Sequence, residues 1–478
     1  MDAYIIDACR TPRGRRGGGL AGVHPIDLCT LPMKAIVARS GVDVNRIEDA
    51  MIGCVTETGA QGACIGRAAV LTAGWPIEIP GFSLNRFCGS GQTTVNLAAQ
   101  GVASGAYDLV YAGGVESMSR CPMGSDMGSL PPSLTERYNL VPQGLSAEMI
   151  AERWNLSRTE LDEFALESQR RAWQAIREGR FEKSLVPVPD APQQDGTRKT
   201  VAVDEHPRPQ TTLDGLAALK PSFLPNGKIH AGNSSGIVDG ASGVLLASKR
   251  AVKDLGLKPR ARVVDTVVVG SEPVIMLTGP IPATQKILRR TGMTIADLDL
   301  VEINEAFAPV PIITMREVGI PHEKVNVNGG AIALGHPLGA TGAMLIGTLL
   351  DELDVRPRAR IVDTVIVGSE PVIMLTGPIP ATQKILRRSG MTIGDVDLVE
   401  INEAFAPVPI ITMREVGIPF EKVNVNGGAI ALGHPLGATG AMLIGTLLDE
   451  LERTDRTVGL STMCIGYGMG IATIIERV

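Results

Sequence analysis

The chain has 478 residues, enough for about three domains that each bury their own hydrophobic core. Its formal net charge of −6 gives no basic surface for nucleic acid, and no apolar run reaches the ~18 residues of a membrane span. The N-terminal residues lack the basic and apolar regions of a signal peptide. Fifty-five glycines and few aromatic residues favour tight turns and close packing, which is typical of an α/β protein. Because neither a signal peptide nor a membrane span is evident, we predict a cytoplasmic protein.

The cysteines stand singly in the sequence, without a Cys-x-x-Cys pair or histidines at zinc-ligand spacing. They are Cys9, Cys29, Cys54, Cys64, Cys88, Cys121 and Cys464. We therefore expect neither a disulfide framework nor a metal site. Isolated cysteines in an intracellular chain that also has a few histidines leave thiol catalysis open.

The first part of the chain alternates between strand patterns and helical patterns. Strands are predicted at 3–7, 50–54, 82–87 and 107–113, and helices at 26–40, 67–73 and 92–104. This alternation predicts parallel sheets, whose ligands bind at the turns that follow the strand C-termini.

One of these turns contains Cys88, within the sequence Leu-Asn-Arg-Phe-Cys-Gly-Ser-Gly at 84–91. A thiol at the N-terminal end of a helix has its pKa lowered by the unpaired backbone N–H groups and the helix dipole. Gly89 and Gly91 let a substrate carbonyl approach the backbone without meeting a Cβ. Cys88 is thus a candidate nucleophile, and a buried structural cysteine beside a Gly-rich turn is the alternative.

The pattern changes after the next strand. Residues 117–230 are rich in polar residues and proline, with helices predicted at 147–152 and 158–178. We interpret 117–230 as an excursion between sheet elements, and the small-residue strand at 233–249 closes the first domain.

The second half contains a near-identical repeat. Residues 259–353, the first repeat, recur as residues 357–451, the second repeat, at an offset of 98. The six differences are Val263/Ile361, Val268/Ile366, Thr291/Ser389, Ala296/Gly394, Leu298/Val396 and His322/Phe420. Each repeat is predicted as strand, helix, strand, helix, strand, helix. The tail, 452–478, occurs once and predicts two final strands.

Three motifs in this half carry chemistry. They are Val-Glu-Ile-Asn-Glu-Ala-Phe-Ala at 301–308 and 399–406, Asn-Gly-Gly-Ala-Ile-Ala-Leu-Gly-His-Pro-Leu-Gly at 328–339 and 426–437, and Cys-Ile-Gly-Tyr-Gly-Met-Gly at 464–470. With Cys88, Gly-Gly-Val-Glu-Ser-Met-Ser at 113–119 and Ala-Gly-Asn-Ser-Ser-Gly at 231–236, they resemble the thiolase family. Related condensing enzymes pair their cysteine with residues other than this Gly-His-Pro and Cys-x-Gly.

The resemblance implies a thiolase-like fold with two α/β sheet domains in αβαβα layers and an inserted loop domain. Its boundaries would be 1–116 plus 231–256 for the N-terminal domain, 117–230 for the CoA-binding loop domain, 259–353 for a first, incomplete copy of the C-terminal domain, and 357–478 for a second, complete copy. The implied protein is a homodimer or homotetramer that has coenzyme A as a substrate and no permanently bound cofactor.

The resemblance also implies an acyltransferase of lipid metabolism and fatty acid β-oxidation. It would cleave 3-ketoacyl-CoA with CoA, or run the reverse Claisen condensation, through a thioester on Cys88. His434 would take the thiol proton, and Cys464 would move the proton at the α-carbon of the acetyl unit. The alternatives are a thiolase-like condensing or lipid-transfer protein with another acceptor, and a chain that the repeat has inactivated.

The remaining site residues also follow from the resemblance. The N–H groups of Cys88 and Gly466 would form one oxyanion hole, and His434 with a water held by Asn402 the other. Arg208 and Ser235 match positions that contact CoA. Glu302 and Glu305, with Glu400 and Glu403 in the second repeat, could form carboxylate pairs, but they flank the family's Asn, which we interpret as the functional residue.

The sequence supplies two versions of part of this site. If the second repeat docks with the tail on the N-terminal domain, Asn402 and His434 serve; if the first repeat docks, Asn304 and His336 serve instead. Short connections between sequential sheet neighbours favour the second repeat.

Overall fold

The computed structural model describes residues 2–353, 359–465 and 469–477. It divides into two compact units, Met1–Asp354 and Val355–Val478. The strands of the first unit are β1 Ala3–Arg10, β2 Gly14–Arg15, β3 Asp49–Gly53, β4 Gly81–Leu84, β5 Leu109–Ser117, β6 Val188–Pro192, β7 Arg198–Val201, β8 Val238–Ser248 and β9 Ala261–Val263. Its helices are α1 Pro25–Ser40, α2 Ile65–Thr72, α3 Ser90–Ala103, α4 Pro132–Thr135, α5 Gln143–Arg153, α6 Arg158–Arg177, α7 Leu213–Ala217, α8 Lys249–Asp254, α9 Pro280–Thr291, α10 Pro309–Val318, α11 Ala331–Leu334 and α12 Leu338–Leu353.

The second unit has the strands β10 Ala359–Gly368, β11 Leu398–Ile401, β12 Val458–Ile465 and β13 Met469–Arg477, and the helices α13 Pro378–Ser389, α14 Pro407–Val416, α15 Ala429–Leu432 and α16 Leu436–Arg453. Over the described ranges of both units, none of the helices is long and apolar enough to cross a bilayer.

The main sheet of the first unit has the order β4-β3-β5-β8-β1-β9. The pairs β3–β4 and β3–β5 are parallel, as predicted, because helices connect these strands. The pairs β5–β8, β1–β8 and β1–β9 are antiparallel, so the sheet is mixed rather than parallel. The connection from β5 to β8, residues 118–237, contains nearly all of the predicted excursion 117–230, and a connection of this length can return the chain in either direction.

Both faces of this sheet are covered. Helices α1 and α2 contribute Leu28, Ile36 and Ile65 to the core on one face. On the other face, α3 and α12 pack against β5 and β8 through residues such as Val95 and Leu350. Since α12 belongs to the first repeat, that repeat supplies part of the layer that covers the sheet.

The first repeat also packs against the excursion. Ile150 of α5 and Phe164 of α6 share a core with Ile313 of α10 and Ile332 of α11. The first repeat is therefore anchored to the N-terminal part of the chain on two sides.

The second unit is built on its own sheet, in the order β10-β13-β12-β11. The tail provides β12 and β13, which confirms its two predicted strands. They pair antiparallel with each other, β13 pairs antiparallel with β10, and β12 pairs parallel with β11. Helix α13 covers one face through Ile385, while Leu447 and Leu451 of α16 cover the other.

The two repeats form the same helices but different strands. The ten residues of β10 correspond to only three in β9, and β11 corresponds to a single bridge between Val301 and Val325. The third predicted strand is one bridge in each repeat, Val301–Val325 and Val399–Val423, so that prediction is wrong. Strand length follows the partner, since backbone N–H and C=O groups need a neighbouring strand to bond to.

The repeats also bury opposite faces. Leu334 and Leu338 are 2% and 5% exposed in the first repeat, whereas their counterparts Leu432 and Leu436 are 63% and 75% exposed. The opposite difference is found at α13, the helix that packs on the tail strands, which buries five residues. Its counterpart α9 has the same sequence except at the last position, yet none of the described side chains of α9 is buried. Each repeat thus buries helix positions that are more exposed in the other.

This asymmetry predicts unequal mutational costs at identical positions. Ile385→Ala removes a fully buried side chain and should lower the free energy of unfolding of the second unit by about 2–5 kcal/mol. Ile287→Ala, at the equivalent half-buried position of α9, should cost clearly less. Urea denaturation of the two variants would show the difference, and equal costs would contradict the burial pattern.

Candidate active site

Cys88 lies on a strained turn between β4 and α3. Phe87, directly before it, has a φ of 47°, a left-handed conformation that is unusual for an aromatic residue. The Phe87 N–H donates to Asn85 Oδ1 at 2.8 Å, and the Ser90 hydroxyl donates to the Phe87 carbonyl at 2.6 Å while it accepts from the Arg86 N–H at 2.8 Å. These bonds fix the turn and present the thiol at the N-terminal end of α3.

The environment of Cys88 raises its pKa instead of lowering it. Burial is the main cause and outweighs a hydrogen bond from the Gln143 side chain, and the charge of Glu116 adds to the increase, so that the pKa reaches about 11. The prediction of a lowered pKa is therefore wrong, because desolvation of the half-buried thiol exceeds the effect of the helix terminus. A thiol of this kind needs a base to become a nucleophile.

The Gly-His-Pro turn of the first repeat packs directly on the Cys88 turn. Cys88 contacts a small cluster of Val55, Met118 and Leu338, and Leu338 follows the Gly-His-Pro sequence. A Cβ at Gly91 would lie 2.5 Å from the carbonyl oxygen of Gly339. Only glycine allows this approach, so the first turns of α3 and α12 pack against each other beside the thiol.

Glu116 holds these segments together. Its carboxylate is fully buried and accepts hydrogen bonds from the N–H groups of Val55, Thr56 and Gly339 at 3.0, 3.1 and 2.9 Å. It also accepts from Gln61 Nε2 at 2.8 Å. One carboxylate therefore links the loop after β3 to the start of α12, on either side of Cys88.

His336 is buried and held at both ring nitrogens. Its Nδ1 lies 2.7 Å from Thr341 Oγ1, and its Nε2 lies 3.2 Å from Asn304 Nδ2. Since the Thr341 hydroxyl donates to the Pro337 carbonyl at 3.1 Å, the network assigns the proton to Nδ1 and leaves the Nε2 lone pair as an acceptor. Burial and the nearby Arg13 guanidinium lower the pKa of His336 to about 4, so the imidazole is neutral at pH 7.

The second repeat contains the same arrangement. Asn402 Nδ2 lies 3.4 Å from His434 Nε2, and His434 Nδ1 lies 2.8 Å from Thr439 Oγ1. Here the histidine is half-exposed. In both repeats the Asn Oδ1 atom is buried and has no hydrogen-bond partner among the described residues, which leaves an acceptor for a water.

Cys464 lies on β12, opposite Gly470 of β13. It is 9% exposed, and burial raises its pKa. The N–H of Asn402 donates to the Thr462 carbonyl on the same strand at 3.0 Å, so Asn402, His434 and Cys464 all belong to the second unit. Gly466, expected in an oxyanion hole, lies outside the described residues.

Arg208 lines a cavity of about 170 Å³ in the first unit, together with His206, Thr211 and Gly215. The N–H of Arg208 donates to Gln169 Oε1 at 2.8 Å, which fixes the loop. Ser235 lies on another segment, where its N–H donates to the Ala306 carbonyl at 3.0 Å.

Glu305 has a structural role. It is buried and accepts from the Ser168 hydroxyl, Asn326 Nδ2 and the Ile332 N–H at 2.7, 2.8 and 3.1 Å. These bonds tie the excursion to the first repeat. Among the described residues there is no cluster of three side chains suited to a metal ion.

Sequence reasoning missed the contributions of Glu116 and Thr341. Glu116 stands in a motif that was noted only for its resemblance, and Thr341 lies five residues after His336. In the first turn of a helix, this spacing places a side chain beside the turn that precedes the helix. It could therefore have indicated a contact between Thr341 and His336.

A half-buried cysteine on a strained turn at a helix N-terminus and a buried, neutral histidine in the same unit, within layered α/β structure, are typical of thiol-dependent acyltransferases. The N-terminal thiolase domain model matches residues 3–250, and the C-terminal thiolase domain model matches twice, at 257–357 and 355–477.

Comparison with individual characterised proteins also identifies thiolases as the relatives of this chain. The chain is 45% identical over 366 residues to the steroid 3-ketoacyl-CoA thiolase of Mycobacterium tuberculosis, covering 74% of this chain and 88% of that protein. It is 42% identical over 373 residues to a β-ketoadipyl-CoA thiolase of Acinetobacter baylyi, covering 74% and 93%. The crystal structure of human mitochondrial 3-ketoacyl-CoA thiolase superposes with a TM-score of 0.68 at 29% identity, covering 100% and 99% of the two chains. The chain belongs to the thiolase family and has the thiolase fold.

The buried carboxylate of Glu116 yields a prediction. Glu116→Gln removes a negative charge that raises the pKa of Cys88, so the pH at which Cys88 is half-alkylated by iodoacetamide should fall. The loss of charge-assisted bonds should also lower the free energy of unfolding by about 1–3 kcal/mol. Peptide mass spectrometry of alkylated Cys88 as a function of pH measures the shift.

Glu305→Gln is the matched control. It removes another buried carboxylate of the same unit, which does not contribute to the pKa of Cys88. It should lower stability but leave the alkylation midpoint in place, and a midpoint that moves equally in both variants would contradict the electrostatic role of Glu116.

Proposed function

We propose that the chain catalyses CoA-dependent cleavage of a 3-ketoacyl-CoA to acetyl-CoA and a shortened acyl-CoA, and the reverse Claisen condensation. The packing of the Cys88 turn against the Gly-His-Pro turn of the first repeat is the observation that carries this proposal. It puts a nucleophile whose pKa is about 11 in the same packed unit as the neutral base His336.

In the cleavage direction, His336 Nε2 takes the Cys88 proton and the sulfur attacks the keto carbon. The bond between the keto carbon and the α-carbon then breaks, which leaves an acyl thioester on Cys88 and the enolate of acetyl-CoA. Cys464 donates its thiol proton to the enolate carbon. The Cys464 thiolate next takes the proton of a CoA thiol, whose sulfur attacks the thioester and releases the shortened acyl-CoA. The Cys88 thiolate that leaves takes its proton back from His336.

Two groups of donors stabilise the oxyanions. The N–H groups of Cys88 and Gly466 would serve the thioester carbonyl, and a protonated histidine with an Asn-bound water would serve the enolate. The unpartnered buried Oδ1 of Asn304 supports the water, because a buried acceptor of this kind needs a donor.

The packing supports Asn304 and His336 of the first repeat as the working pair, in place of Asn402 and His434, which chain order favoured. His336 is buried two residues before Leu338, which packs on Cys88, and the backbone N–H of His336 donates to the Gly236 carbonyl at 3.0 Å. In this proposal the repeat is a duplication of most of the C-terminal domain, with the domain boundaries that the family resemblance implies.

Arg208 and Ser235 are proposed to contact CoA. The cavity beside Arg208 supports this role for Arg208, since it offers polar side chains and room next to a cation. The relatives are named for 3-keto (3-oxo) acyl-CoA substrates, and a structure of the human mitochondrial enzyme contains CoA. A cytoplasmic homodimer or homotetramer, acting in fatty acid β-oxidation, completes the proposal.

One observation favours a second candidate, a chain that acylates Cys88 but turns over poorly. The tail strand that carries Cys464 pairs with the second repeat. A chain that cannot bring Cys464 to Cys88 would stop after the first half-reaction.

The choice of histidine is directly testable. His336→Ala should lower kcat for acetoacetyl-CoA cleavage by about 10²- to 10⁴-fold, because the neutral Cys88 thiol loses its base. His434→Ala, the identical change in the second repeat, is the control and should have little effect. Loss of activity only in His434→Ala would reverse the assignment, and the intact mass of the acyl-enzyme separates the two half-reactions.

A further inference from the structure

Two packing partners, the N-terminal sheet and the tail hairpin β12–β13, are divided between the repeats. The first repeat packs on the N-terminal sheet through α12, and the second repeat holds the hairpin β12–β13 of the tail. The chain has one N-terminal domain and one tail, so neither repeat has both.

The hairpin binds the second repeat through residues that the first repeat also has. Strand β13 pairs with β10 from Ala359↔Arg477 to Gly368↔Met469. The ten residues of β10 recur as 261–270 with only two Val-to-Ile differences. The residues of β11, which pair with β12 from Leu398↔Gly459 to Ile401↔Thr462, recur unchanged as 300–303.

The first repeat has the surface that this hairpin would cover. In the second unit, α13 buries Ala381, Ile385 and Leu386 in the core that also contains Leu460 and Ile474 of the hairpin. Over the described residues of α9, the same positions are not buried, and Val267 is half-buried whereas its counterpart Val365 is 3% exposed. An apolar helix face with the sequence of α13 thus lacks the strands that bury it.

We propose that the tail hairpin β12–β13 exchanges within one chain from the second repeat to the first, and that the exchanged form performs the complete thiolytic cycle. This rests on the proposed function. The exchange keeps the pairing of β12 with β13 and replaces β10 and β11 by 261–270 and 300–303. Because these sequences are nearly identical, the pairs that 264–270 and 300–303 offer the hairpin match those that it leaves. Residues 261–263 already pair with β1, and this difference favours the second repeat as the resting position.

The exchange has a chemical consequence. It would place Cys464 on strands formed with the first repeat, whose Leu338 packs on Cys88 and whose His336 is the proposed base, so the nucleophile, the two bases and Asn304 would belong to one unit. The second repeat then becomes a spacer, and the 104 residues between Leu353 and Val458 give ample length for the crossing.

Disulfide trapping tests the exchange. Thr364 Oγ1 and Thr473 Oγ1 are 3.2 Å apart on opposing positions of β10 and β13, so Thr364→Cys with Thr473→Cys should close a disulfide that holds the hairpin on the second repeat. Thr266, which is the counterpart of Thr364, makes the matched pair Thr266→Cys with Thr473→Cys, which closes only when the hairpin is on the first repeat.

We expect both pairs to cross-link within one chain under mild oxidation. In the Thr364 pair, cleavage of acetoacetyl-CoA should fall in proportion to the oxidised fraction and return with dithiothreitol. In the Thr266 pair, activity should persist in the oxidised chain. The single variants are the controls, and peptide mapping under non-reducing conditions identifies each cross-link.

Three results would overturn the proposal. They are the absence of a cross-link in the Thr266 pair, full activity of the oxidised Thr364 pair, and a cross-link in the Thr266 pair that joins two chains instead of forming within one. Failure of the proposed function looks different. In that case the reduced, unmutated chain would form no acyl-enzyme at Cys88 and would cleave no 3-ketoacyl-CoA, whichever cross-links formed.

Discussion

The close approach of the Gly339 backbone to the Cys88 turn is the contact on which the candidate site depends. The helices α3 and α12 come from segments far apart in the chain, and they meet at glycines where no side chain would fit. Glu116 fixes this approach by accepting from backbone N–H groups on both sides. A buried carboxylate with four donors is costly to disturb, so the relative position of thiol and imidazole is set by the core of the domain and not by mobile loops.

The same burial sets the resting charge of the site. It raises the pKa of the Cys88 thiol to about 11 and lowers that of His336 to about 4, so neither group is ionised at pH 7. A neutral thiol resists oxidation and metal binding, because both need the thiolate. In the proposed mechanism, the Cys88 proton moves when a substrate supplies an electrophile and the oxyanion donors compensate the new charge.

The sequence predicted the turn of Cys88, the helices and the Gly-His-Pro and Asn-containing motifs, since these depend on local patterns. It could not predict which repeat packs beside Cys88, because Asn304 and Asn402, or His336 and His434, stand in identical surroundings in the sequence. Their burial is decided by tertiary partners. The pKa of Cys88 was misjudged for a related reason: the helix terminus is visible in the sequence, whereas the desolvation that outweighs it arises from Val55, Met118 and Leu338, which are distant in the chain.

The attachment of the first repeat to the N-terminal sheet agrees with the direction of protein synthesis. The first repeat leaves the ribosome 98 residues ahead of the second, an interval of about 5–20 s at ~5–20 residues per second. Helix α12 can therefore cover β5 and β8 before α16, its counterpart in the second repeat, has been synthesised. The tail is synthesised last and follows the second repeat directly in the chain, so it meets that repeat first. For two segments of nearly equal sequence, the order of translation selects the partner that side-chain chemistry leaves undetermined.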